Sequence, residues 1–153
     1  MLKSLVLITV CAVACACNAE TPKSAAPRQE GSPMNSPIST VVKMTVGKQT
    51  FNIQLEDNPA SQQLGGLLPL ELFMQDHLNN EKFAALPQSL PNNDSKIGNI
   101  RTGDVLLWQG NTLVVFYDNH SSSYRYTRIG KIADADSLKS TLGSGSVRVK
   151  FEK

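Results

Sequence analysis

From Val41 to the C-terminus, apolar and polar positions alternate with a period of two. Val42, Met44 and Val46 are separated by Lys43 and Thr45, and Phe51, Ile53 and Leu55 by Asn52 and Gln54. Successive side chains on a strand point to opposite faces, so both runs predict strands with one buried face. Gly47-Lys48 lies between them, and the pair reads as a hairpin. Val105–Trp108 and Leu113–Tyr117 are strongly β-like, and Gln109-Gly110-Asn111-Thr112 joins them as a second hairpin. Tyr124–Ile132 and Val147–Phe151 alternate again, and Leu70–Met74 and Glu81–Leu86 are shorter strand candidates.

The breaks in the pattern predict the rest. Asp57-Asn58-Pro59 offers an N-cap followed by proline at the first helical position, which predicts a short helix to about Leu64, stopped by Gly65-Gly66 and Pro69. Asp134–Leu142 predicts a second short helix closed by Gly143. Ser89–Asn99, rich in Pro, Asn and Asp, reads as a loop. Seven or eight short strands with two short helices point to an all-β domain over residues 41–153, a closed barrel or sandwich. Closure would hide the edges of these apolar strands.

The first 40 residues follow a different pattern. Lys3 is a short positive n-region, and Leu5–Ala16 is an unbroken apolar stretch. It falls short of the roughly 20 residues a membrane-spanning helix needs, and it matches the apolar core of a secretory signal. The stretch ends in Val13-Ala14-Cys15-Ala16-Cys17, which resembles a bacterial lipobox. Cys17 is the favoured lipidation site, because the chain turns polar immediately after it, and Cys15 is the alternative. Cleavage by the ordinary signal peptidase at Ala-Cys-Ala or after Ala19 is the competing reading. Residues 1–17 are thus expected to be a lipoprotein signal. Residues 18–40, with four prolines and almost nothing apolar, are expected to be a disordered tether. Such a tether reaches about 25 Å r.m.s.. The resemblance to lipoproteins implies stable anchoring through several acyl chains. Asn18 in place of Asp points to the outer membrane, with the domain facing the periplasm.

Composition narrows the chemistry. The net charge is only +2 and no run of Lys or Arg occurs, so nothing suggests nucleic acid as a partner. All three cysteines lie within the first 17 residues, so the domain has no disulfide, thiolate metal site or cysteine nucleophile. His77 and His120 have no His or Cys neighbour at ligand spacing and read as surface residues. Asp134 and Asp136 lack the glycine and distal glutamate of a calcium loop and read as helix N-capping residues. Ser121–Ser123, near His120, has no Gly-x-Ser-x-Gly elbow and reads as a solvated loop. No cofactor, metal or catalytic set is expected. The most informative cluster is Trp108, Phe116, Tyr117, Tyr124 and Tyr126 with Arg125 and Arg128. Trp108, Tyr117, Tyr126, Arg125 and Arg128 are the candidate lining of a peptide groove, with rings packing apolar side chains and arginines contacting carbonyls or carboxylates. The competing reading is that alternate members of the cluster are core and the others ordinary strand surface.

The order of Asp57-Asn58-Pro59, Leu67-Leu68-Pro69, Leu86-Pro87, Gly103-Asp104-Val105, Val115-Phe116-Tyr117, Tyr126-Thr127-Arg128-Ile129-Gly130 and Val149-Lys150-Phe151 resembles the bacterial cyclophilin-like family. The resemblance covers nearly all of residues 41–153 and implies a small closed β-barrel with short helices across its ends. True cyclophilins place an arginine, a phenylalanine and a glutamine at set positions in a longer chain. Leu72-Phe73-Met74-Gln75 is superficially similar to one such segment, but Asp76-His77 replaces its glycine-rich continuation. No catalytic residue is therefore assigned. The expected function is that of a non-catalytic peptide- or ligand-binding module on an envelope lipoprotein. The alternative is a peptidyl-prolyl cis-trans isomerase acting on envelope proteins.

Overall fold

The computed structural model describes residues 41–153. The signal, Cys15, Cys17 and the tether lie outside these described residues. Eight strands close into a ring. They are β1 (Val41–Val46), β2 (Gln49–Leu55), β3 (Leu70–His77), β4 (Glu81–Ala85), β6 (Asp104–Trp108), β7 (Thr112–Phe116), β8 (His120–Ile132) and β9 (Val147–Glu152). Around the barrel they run β2-β1-β9-β3-β4-β7-β6-β8, every pair antiparallel, and β8 returns to β2. The ninth strand, β5 (Ser95–Ile100), stands outside the ring. It pairs with the first half of β8 from Ser95↔Tyr126 to Ile100↔His120. The fold is the closed β-barrel expected of the sequence.

The period-two pattern fills the barrel. Val42, Met44 and Val46 of β1 meet Phe51, Ile53 and Leu55 of β2, Leu72 and Met74 of β3, and Val149 and Phe151 of β9 in one buried cluster. Each fully buried aliphatic or aromatic side chain contributes about 1.5–3 kcal/mol relative to exposure. The seam between β2 and β8 depends on Gly130, because a Cβ there would lie 2.4 Å from the backbone oxygen of Gln54. Only glycine lets these backbones approach closely enough to pair Leu55 with Gly130.

β6 and β7 break the rule of one buried face. Val105, Leu107, Leu113 and Val115 point into the barrel, while Leu106, Val114 and Phe116 point outward and are also buried. Their cover is the β5–β8 ribbon, which contributes Ile100 and Tyr126 to this second cluster. The ribbon is tied down at its base. Thr127 Oγ1 donates to Asp94 Oδ1 at 2.6 Å and accepts from the Asn93 N–H at 2.7 Å. Burial on both faces is why these two strands read as continuous apolar runs.

Several local expectations need correction. The first helix, α1 (Pro59–Leu67), passes through both glycines. Its N-cap is Asn58, whose Oδ1 accepts from the Ser61 N–H at 2.9 Å. It stops at Leu67 because Pro69 forces Leu68 into extended backbone. The second helix, α2, covers only Leu138–Leu142, one turn that buries Leu138 and Leu142 in the barrel cluster. Its N-cap is Ser137, without a side-chain cap bond, so Asp134 and Asp136 do not cap it. The predicted loop over residues 89–99 contains most of β5, and β8 begins at His120 rather than Tyr124. β5 was hidden because a bulge between Lys96 and Gly98 disrupts its alternation.

Candidate functional site

β4 presents two different surfaces. Glu81 and Phe83 point outward and Lys82 points into the barrel, as alternation on a strand requires. The outward side forms the wall of a cleft of about 220 Å³. Register assembles its floor and walls. Phe83 lies opposite Val114, Glu81 opposite Phe116, and Trp108 opposite Thr112. His77, at the end of β3, pairs with Glu81 and sets its ring edge-on to Phe83 at 6.2 Å. The β5–β8 ribbon supplies the opposite wall. Tyr126 meets Phe116 edge-to-face at 6.0 Å, and Tyr124 meets Trp108 at 6.4 Å. Tyr124 remains 62% exposed at the rim, so it is available to touch an incoming group.

The cleft is mostly apolar, and the half-buried Glu81 carboxyl shares its lining with the His77 ring, the Thr112 hydroxyl and the hydroxyls of Tyr124 and Tyr126. Burial raises the pKa of Glu81; the charge of His77 opposes this and that of Asp76 adds to it. Burial likewise raises the Tyr126 hydroxyl, a Ser122 hydrogen bond opposes the rise, and the charge of Glu81 adds to it. The cleft is smaller than the roughly 300–1,000 Å³ of drug-sized ligand pockets. It suits a single side chain or a compact small molecule.

The inward side of β4 is closed. Lys82 is fully buried, and its Nζ donates to Asp76 Oδ2 at 2.5 Å and to the carbonyl oxygens of Gly143 at 2.8 Å and Gly145 at 2.6 Å. All three ammonium protons therefore have an acceptor. Tyr117 donates its hydroxyl to the same Asp76 oxygen at 2.6 Å, and Lys82 Nζ sits 5.3 Å from its ring centroid. Burial alone would push the Asp76 carboxyl up. The hydrogen bonds from Lys82, Tyr117 and the Asn79 N–H outweigh it and hold the pKa below its ordinary value. Burial and the bond to Asp76 drive the Tyr117 hydroxyl far up. This network ties β3, β4 and the segment that follows β7 to the α2–β9 loop.

The structure brings two of the five candidate groove residues together, Trp108 and Tyr126, with Tyr124 beside them. Tyr117 lies inside the barrel, 3% exposed and bonded to Asp76. Arg125 falls between Tyr124 and Tyr126 on a strand, so it points to the opposite face and donates to the Asp94 carbonyl at 2.6 Å. Arg128 is exposed and lines a separate polar hollow with Asp57, Asn58 and Asn92. The charged group at the aromatic cleft is thus a carboxylate rather than a guanidinium. Sequence reasoning missed Glu81 and Phe83 as site residues. The signal that could have found them is a β4 whose outward positions carry Phe, beside two neighbouring strands apolar on both faces. His77 lies at the cleft, and His120 begins β8 beside an open polar hollow with Asn119 and Arg101. Among the described residues, no group of three or more His, Asp or Glu side chains converges as a metal site would require.

A model of the cyclophilin-like family matches residues 44–152. No curated protein matches the chain. Solved structures share the fold. A structure of McbB in complex with tryptophan aligns with a TM-score of 0.54 at 16% identity, over 73% of this chain and 44% of that one. The chain therefore spans less than half the length of McbB. The solution structure of the hypothetical protein AF2241 from Archaeoglobus fulgidus aligns with a TM-score of 0.53 at 15% identity, over 78% of this chain and 98% of that one. At these identities the likeness concerns the fold alone.

Proposed function

The chain belongs to the cyclophilin-like family, and from that premise we propose that it is an envelope lipoprotein whose barrel is a non-catalytic binding module. The module holds one side chain of an extended peptide in the cleft between Phe83, Trp108 and Tyr124. The observation that carries this reading is the covered outer face of β6 and β7. There an apolar floor, two edge-to-face aromatic pairs and one half-buried carboxyl surround a hollow the size of a side chain. Rigid aromatic rings offer large contact area at low entropic cost, which suits them to anchor pockets. The sequence supplies the rest. A signal ending at Cys17, or at Cys15, followed by a proline-rich tether would hold the module clear of a lipid surface, on the periplasmic side of an outer membrane.

Trp108 is the only tryptophan in the chain and lines the cleft, so its fluorescence reports occupancy directly. Titration with short blocked peptides is expected to shift or quench its emission, and Tyr124→Ala to weaken binding several-fold. Emission unchanged by every peptide at millimolar concentration contradicts the binding reading. Labelled palmitate is expected to enter the wild type and to be lost in Cys17→Ser; retention of label there moves the anchor to Cys15. The isomerase alternative rests on fold likeness alone. Acceleration of proline isomerisation in a protease-coupled assay at micromolar protein would favour it.

A further inference from the structure

We infer that the cleft selects a cationic side chain with an apolar stem, a lysine or arginine of the bound peptide, and that Glu81 is the residue that selects it. This rests on the binding reading above and names the chemistry of the occupant. Three observations lead to it.

The first is charge. The two arginines nearest in sequence to the cleft tyrosines are directed elsewhere, Arg125 to the far face of the ribbon and Arg128 to a separate hollow. The buried Lys82 next to Glu81 in sequence is on the other side of the strand, with all its protons engaged by Asp76, Gly143 and Gly145. No cation of the described chain therefore serves Glu81 from its own side of β4 except by way of His77, its cross-strand neighbour.

The second is the state of the carboxyl itself. Glu81 is half-buried and takes part in none of the salt bridges formed among the described residues. Removing a carboxylate from water is costly unless a cation or donor replaces the lost solvent. Its raised pKa, set mainly by burial, expresses that unmet cost. A bound ammonium or guanidinium offsets it.

The third is the wall chemistry. Trp108, Tyr124 and Phe83 present ring surface around the hollow. Aromatic faces attract cations within about 6 Å of the ring centroid and also pack methylene groups. A long cationic side chain satisfies both features, its stem against Phe83 and Val114 and its head toward Glu81. A carboxylate ligand would meet like charge, and a neutral aliphatic one would leave Glu81 uncompensated.

The test is a titration of the full chain in detergent micelles, read by Trp108 emission. The probes are N-acetyl-lysine methylamide, its uncharged near-isostere N-acetyl-norleucine methylamide and N-acetyl-phenylalanine methylamide. Lysine is expected to bind about tenfold more tightly than norleucine, and Glu81→Gln to remove that preference while its thermal unfolding stays close to wild type. Equal binding of lysine and norleucine overturns the cation inference and leaves the binding cleft standing. A lysine preference that survives in Glu81→Gln overturns the assignment to Glu81. No response to any of the three probes overturns the cleft reading itself.

Discussion

Glu81 and Lys82 are neighbours on one strand, yet they belong to opposite kinds of environment. Lys82 faces the barrel interior, where a carboxylate, two carbonyls and an aromatic face surround it. Glu81 faces outward into an aromatic cleft with no ion-pair partner of its own among the described residues. A buried charge with every bond satisfied is a fastener. It fixes the α2–β9 loop to the strands and leaves no donor for a ligand. A half-buried charge without such bonds is poised to bind. Satisfaction, more than burial or charge, separates the structural side of β4 from the side proposed to work.

The sharpest way to break this comparison is to remove one partner from the inner network. Asp76→Asn is expected to lower unfolding stability by about 3–5 kcal/mol in urea denaturation, because it leaves the Lys82 ammonium buried without its counter-ion. The double variant Asp76→Asn with Lys82→Met is expected to regain part of that loss, since the buried charge has gone. A double variant no more stable than Asp76→Asn alone would show that the pair does not act as a unit.

The outer side should respond in the opposite sense. Glu81→Gln is expected to change stability by less than about 0.5 kcal/mol, and in the favourable direction at neutral pH, because ionised Glu81 bears a desolvation cost that glutamine does not. The two carboxyls therefore part company on acidification. The pKa of Asp76 is lowered by folding, so its contribution is present above the ordinary aspartate value of about 3.9 and is lost as pH falls through the folded value. The pKa of Glu81 is raised, so its contribution is fully present below the ordinary glutamate value of about 4.3 and is lost as pH rises through the folded value. Melting curves from pH 7 downward should show a small gain on entering the acid range, absent in Glu81→Gln, and then a fall at lower pH, reduced in the Asp76–Lys82 double variant. An equally small effect on stability is expected of Tyr124→Ala, within about 0.5 kcal/mol because the ring is mostly exposed. A loss of about 2 kcal/mol or more there would make Tyr124 a packing residue rather than a contact for ligand.

Much of the barrel was legible in the sequence, and the reason is physical. Val42–Val46, Phe51–Leu55 and Val147–Phe151 alternate because one face of each is buried and the other wet. Within the family-like segment Tyr126–Gly130, Thr127 anchors the ribbon base, Ile129 fills the barrel and Gly130 makes the seam, while Tyr126 both covers Phe116 and lines the cleft. The candidate site was only half legible. Its aromatics Trp108, Tyr124 and Tyr126 stood out by type, but alternation does not reveal that an outer face is roofed by a strand leaving the ring. Without that roof, Glu81 and Phe83 read as ordinary surface and Arg128 as a neighbour of Tyr126. The inward lysine was equally hidden, because its partners Asp76, Gly143 and Gly145 come together only through long-range closure.

The most direct test of the division across β4 is amide chemical-shift mapping of the 15N-labelled full chain with N-acetyl-lysine methylamide. Perturbations are expected to centre on Glu81, Phe83, Trp108, Thr112 and Tyr124, while the polar hollow of Asn58, Asn92 and Arg128 stays silent. Perturbations centred instead on that hollow, or a spectrum unchanged at saturating probe, would contradict the account.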